Sequence, residues 1–131
     1  MSEAIRKQIK NAMAAHGKWK LRLRTAVGRG ASEFKPENVR PDNLCEFGQW
    51  LHGPEIDAQT KQGVPYQVIL RLHREFHETA ANVLSMVEAG RKDEAEEVFS
   101  GEYHQRSDKL IRALAKWDRE LLSAATARQA S

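Results

Sequence analysis

Two histidines stand one helical turn apart, His73 and His77, in a segment where a core would otherwise hold leucines. At about 100° per residue they share one apolar arc with Ile69, Phe76, Ala80, Leu84 and Val87. A ring nitrogen buried without a partner costs roughly 1–3 kcal/mol. Two stacked imidazoles satisfy each other poorly, whereas one metal ion satisfies both. His-x-x-x-His on one helical face is a zinc-pair geometry.

Two further groups face inward by the same periodicity: His16 in the first helical segment and Cys45, the lone cysteine. Three imidazoles and one thiolate match a tetrahedral Zn²⁺ site, at about +1 net charge. Cys45 falls in the first turn of a short helix if Asp42 is its cap, a position that favours thiolate. The outer ring nitrogens need carbonyl or carboxylate partners, and Asp42, Glu46 and Glu78 are the candidates. Each part has a plainer reading. A single histidine on an apolar face is commonly a satisfied core residue, and a buried cysteine a small hydrophobe. His52 and His104 read as surface or packing residues, with His52 the substitute ligand should one of the four be misassigned.

Helices must position these groups. The first is expected from a cap at Ser2 to about Val27, with the stripe Ile5, Ile9, Met13, His16, Trp19 or Lys20, Leu23 and Val27, stopped by Gly28 and Gly30. Residues 28–41, with Pro36 and Pro41, read as an irregular linker. Asp42 or Asn43 then caps a short helix through Cys45, Phe47, Trp50 and Leu51, broken at Gly53-Pro54. A turn or two over residues 54–61 starts at Pro54. A long helix follows from Pro65 to Gly90. The last runs from Asp93 toward residue 126, weakened at Gly101, with the stripe Ala95, Val98, Phe99, Tyr103, Arg106, Leu110, Leu114, Trp117 and Leu121; residues 126–131 are expected to fray. No alternating strand pattern or Asn-Gly hairpin signal competes. The fold class is all-α: a bundle of long antiparallel helices plus a short helix carrying the cysteine, in one domain over residues 1–131.

Bulk properties narrow the function. The chain has 131 residues, 30% charged and 40% hydrophobic, with a net charge of +3. No apolar run is long enough to cross a bilayer and no signal-peptide core is present, so a cytoplasmic location without membrane insertion is expected. The basic run Lys18, Lys20, Arg22, Arg24 and Arg29 reads as a solvated helix face, and no nucleic-acid partner is expected. One cysteine allows no internal disulfide.

Three segments, His16-Gly17-Lys18-Trp19-Lys20, Cys45-Glu46-Phe47-Gly48-Gln49-Trp50-Leu51 and His73-Arg74-Glu75-Phe76-His77, together resemble the chemoreceptor zinc-binding (CZB) domain. The Cys-x-Phe-Gly-x-Trp-Leu run is the most specific, and the resemblance covers roughly residues 5–120. It implies a helical bundle holding one zinc through His16, Cys45, His73 and His77. Trp19, Phe47, Gly48 and Trp50 match positions that shape the site. It implies a regulatory domain, commonly homodimeric, of the kind attached to bacterial chemoreceptors and diguanylate cyclases. It also implies sensing of zinc or of an oxidant such as hypochlorous acid through Cys45 as redox switch. No signalling domain accompanies it here, which fits a free-standing protein or an excised piece.

Three rival readings differ in chemistry. A histidine phosphotransfer protein needs an exposed histidine with a small neighbour, but His16 points inward and Trp19 is bulky. A zinc hydrolase needs an open coordination position and a general base; four protein ligands close the site, so no enzymatic activity and no catalytic residue is expected. A purely structural zinc-bound interaction module differs only in the lability of the Zn–S bond.

Overall fold

The computed structural model describes residues 2–130, with side chains described for residues 3–124. Among the described residues there is helix and no strand. The expected cap at Ser2 and the fraying of residues 126–131 concern side chains, or a residue, outside this description.

The first helix, α1 (Ser2–Arg29), outlasts the expected end by two residues. Gly28 stays helical, and the stop is Gly30, whose φ of +70° places it in the left-handed region. The amides of Gly30 and Ala31 both return to the Ala26 carbonyl, which ends the helix. Ile5, Ile9, His16, Leu23 and Val27 are buried along one stripe. Met13 and Trp19 are partly buried, and Lys20 is exposed.

The stretch expected to be a plain linker holds a four-residue helix, α2 (Pro36–Val39), with Pro36 and Val39 buried. Pro36 fits a first-turn position because no intrahelical bond needs its missing N–H. The next helix, α3 (Glu46–Leu51), begins later than the sequence implies. Its cap is Cys45 itself, not Asp42 or Asn43, because Sγ takes the Gly48 amide. The following turn is α4 (Ala58–Gln62), capped by Asp57 through the Thr60 amide. It does not begin at Pro54, because Asp57 supplies the side-chain acceptor that Pro54 lacks.

The central helix is α5 (Val64–Glu88), with Pro65 in its first turn and Gly90 beyond its end at φ +77°. It packs against α1, α2, α4 and the last part of the chain, and so buries residues on several faces. The final rod is broken: α6 (Lys92–Val98), a π-helical segment (Phe99–Tyr103) containing Gly101, and α7 (His104–Ala130). From the end of the π turn into α7 the buried stripe is Tyr103, Ser107, Leu110, Leu114 and Trp117. Arg106, expected on that stripe, instead lies at its edge and pairs with Glu75 and Glu102.

Both α1 and α5 run antiparallel to α7. Arg6 pairs with Asp118 while His16 reaches Ser107, and Glu75 pairs with Arg106. The connection over residues 30–63 therefore returns along α5. Arg40 bonds Asn82 near its start, and the Leu51 carbonyl accepts from the Tyr66 hydroxyl at 2.7 Å further on. That return path carries Cys45 past the two histidines of α5. No helix is long and apolar enough to cross a membrane among the described residues.

Candidate metal centre

Cys45, His73 and His77 converge, all three within 4.8 Å of one another through their ligating atoms. Sγ stands 3.4 Å from His73 Nε2 and 3.5 Å from His77 Nε2, and the two Nε2 atoms are 3.0 Å apart. A tetrahedral ion with Zn–S near 2.3 Å and Zn–N near 2.0–2.1 Å separates S from N by about 3.6 Å and N from N by about 3.3 Å. The three atoms thus form one face of such a tetrahedron to within a few tenths of an ångström, and the donor set suits the ion.

Each ligand is placed by its surroundings. His77 Nδ1 donates to the Val39 carbonyl at 2.8 Å. A carbonyl only accepts, so the neutral ring has its bare lone pair on Nε2, facing Cys45. The ring partner is therefore a backbone carbonyl of α2; the expected carboxylates do not take this part. Glu46 and Glu78 are exposed, and Asp42 pairs with His52 at 3.2 Å. His52 is thus engaged with Asp42 and is not one of the clustered groups. His104 is exposed. The Nδ1 of His73 is buried without a protein partner among the described residues. Its ring is held instead by packing, with Phe47 edge-on at 5.3 Å and His77 at 4.5 Å between ring centroids.

His16 reaches the same place by another route. It is buried at 8% exposure, lies 4.3 Å from the Phe76 ring, and lines a cavity of about 90 Å³ together with Cys45, His73 and His77. Its nitrogens are not part of the three-residue cluster; Nε2 shares a hydrogen bond with Ser107 Oγ across α1 and α7. The structure thus brings three of the four expected ligands together and sets the fourth on the cavity wall.

Electrostatics favour metal-ready imidazoles. Burial, then Lys20 and then His77, lowers the pKa of His16 to about 4. Burial, reinforced most by His77, lowers His73 to about 3. Burial also lowers His77, against the opposing pull of the Val39 carbonyl. All three rings are neutral at pH 7, as ligation requires. Burial pushes the Cys45 thiol up and Asp42 adds to this, while backbone amides led by Gly48 pull it down. A cation at the site is what would turn that thiol into thiolate.

The residues expected to shape the site are placed in different ways. Phe47 packs on His73 and stacks on Trp50 at 5.7 Å, and Trp50 meets Trp117 at 6.5 Å. Trp19 packs on Phe34 at 5.2 Å, with the Arg22 guanidinium over both rings. Gly48 has no room for a side chain, since a Cβ there would lie 1.8 Å from the Asp42 carbonyl oxygen. The close approach it permits is to the backbone of the 42–43 turn, not to another helix. Sequence reasoning missed Val39, a backbone partner with no side-chain signal, and Ser107. The signal for Ser107 was a hydroxyl at i+4 from Tyr103 and i−3 from Leu110, within the apolar stripe.

Comparison with curated proteins and with solved structures gives no match. The model of one family does match, that of the chemoreceptor zinc-binding domain, over residues 16–84. That span begins at His16 and takes in Cys45, His73 and His77, and it covers more than half of the chain. With a Cys/His cluster of metal-binding geometry inside the matched span, this chain belongs to the chemoreceptor zinc-binding domain family.

Proposed function

We propose that this chain is a zinc-binding regulatory domain of bacterial signalling, not an enzyme, in which Cys45 is the switched ligand. The reading rests on the convergence of Sγ and two Nε2 atoms at the spacing of a tetrahedral ion. His16, Cys45, His73 and His77 would hold the ion, and zinc would supply the charge that keeps Cys45 a thiolate.

The protein's own groups do the rest. The Gly48 amide donates to Sγ at 3.2 Å and orients it. The cavity beside Cys45 admits a small oxidant, and Cys45 is only partly buried. With hypochlorous acid, the thiolate gains the oxygen and becomes a sulfenic acid, while chlorine takes the electron pair and leaves as chloride. The sulfenic acid holds a cation less well than thiolate. The six-residue α3, lying between irregular segments, is then tied to α5 only by packing and by the Tyr66–Leu51 hydrogen bond at its far end. Zinc loss has the same consequence, so zinc and oxidant act through one element. A cytoplasmic homodimer, acting with a chemoreceptor or diguanylate cyclase type of partner, belongs to the same proposal and draws its support from the family. The phosphotransfer reading is disfavoured by the burial of His16, which another protein could not reach.

The test is metal analysis with an oxidant titration. Protein purified without added metal should carry close to one zinc per chain and release it to hypochlorous acid, whereas Cys45→Ala should show no oxidant-triggered release. Zinc far below one per chain, or equal release from the variant, overturns the proposal.

A further inference from the structure

His16 Nε2 is the atom that joins α1 to α7 through the Ser107 hydroxyl, and both residues are buried, at 8% and 7% exposure. The same ring lies over Phe76, between His73 and His77 in sequence, and faces the cavity that the three clustered ligands share. Those three atoms form one face of a tetrahedron, so one corner is left for a fourth donor. An imidazole Nε2 has either one proton or one lone pair. It cannot hold Ser107 and an ion at once.

We propose that Ser107 is a competing partner for His16, so that four-coordinate metal binding through Nε2 and the His16–Ser107 hydrogen bond exclude each other. This rests on the reading of His16 as a zinc ligand. Metal entry then exchanges a bond between α1 and α7 for one between α1 and the α3–α5 site, and metal loss restores it. Ser107 is thereby a positioning residue that sets zinc affinity without touching zinc, and the exchange carries the state of the site to α7. An orienting partner on a ligand's outer nitrogen would raise affinity. Ser107 must lower it, because its hydrogen bond stabilises the conformation in which His16 Nε2 is engaged with α7.

The two roles differ in sign, which makes the test direct. Zinc affinity is measured by competition with a chromophoric chelator for wild type, Ser107→Ala, His16→Ala and the double variant. Removing the competing bond should tighten zinc about tenfold in Ser107→Ala. It should change nothing in the His16→Ala background, as a double-mutant cycle requires. An affinity unchanged in Ser107→Ala overturns the exchange. So does one weakened by about 10–100-fold, the mark of an orienting partner. A second measurement needs no variant. Nitrogen-15 spectra of the histidines, with and without zinc, should show coordination at His16 Nε2; coordination at Nδ1, or none at His16, overturns the exchange. Wild type that binds no zinc at all overturns the site reading itself, which separates the two failures.

Discussion

The Val39 carbonyl accepts from His77 Nδ1 at 2.8 Å, and this one contact makes α2 part of the candidate metal centre. His77→Ala removes both a ligand and the link from α5 to α2. Without zinc the variant should lose roughly 1–3 kcal/mol, the cost of leaving a buried carbonyl unpaired. With zinc the loss should be larger, because structural zinc contributes on the order of 10 kcal/mol in small domains. Urea melts with zinc and with chelator measure the two; equal losses would argue against a structural ion.

Gly48 packs on the Asp42 backbone with no space for a methyl group. In Gly48→Ala the turn over residues 42–43 must move, and Cys45 with it. We expect a destabilisation of about 1–3 kcal/mol, typical of overpacking, and weaker zinc binding. Gly17 has open space at its Cβ and stays within a helix, so Gly17→Ala is the control and should stabilise by up to about 1 kcal/mol. Chemical denaturation with zinc titration reads both.

Acid should destabilise the zinc-free protein. The folded state holds His16 and His73 near 4 and 3, below the unfolded value of 6.5, through burial. Between those limits the unfolded chain binds more protons, so stability rises with pH there. It is fully present above about pH 6.5 and is lost as pH falls through the folded values, by a few kcal/mol for each ring at about 1.4 kcal/mol per pKa unit. Denaturant midpoints in chelator from pH 7.5 to 4 should fall steadily; a midpoint that rises on acidification contradicts the buried neutral rings.

Replacing Cys45 by serine keeps a side-chain acceptor for the Gly48 amide while removing the thiolate. Cys45→Ser should fold with nearly unchanged α3 but bind zinc at least tenfold more weakly, since a neutral hydroxyl is the poorer ligand. Circular dichroism and chelator competition check the two parts. Wild-type affinity in this variant would remove Cys45 from the ligand set.

The legible part of this fold was what periodicity encodes. The stripe Ile5, Ile9, His16, Leu23 and Val27 and the arc containing His73 and His77 are buried as their spacing implies. Gly30 and Gly90 mark helix ends because each adopts a positive φ. What stayed hidden depends on contacts between distant segments. The helix α2 has four residues and no periodic signal, yet it packs on α5 and supplies a carbonyl to His77. The last rod is interrupted by a π turn, and beyond it Ser107, not the partly buried Arg106, takes the buried place between Tyr103 and Leu110. Cys45 was legible as a candidate ligand but not as a cap, because cysteine is not among the usual capping residues.

The Arg6–Asp118 pair sets the opening turns of α1 beside the later turns of α7. His16 and Ser107 meet ten residues deeper along α1, about 15 Å away at 1.5 Å per residue. The two rods are therefore pinned at two depths, by a charged pair toward one end and by a neutral bond inside the bundle. Acid or salt would loosen the outer pin first, and the buried one would be left to keep the helices in register.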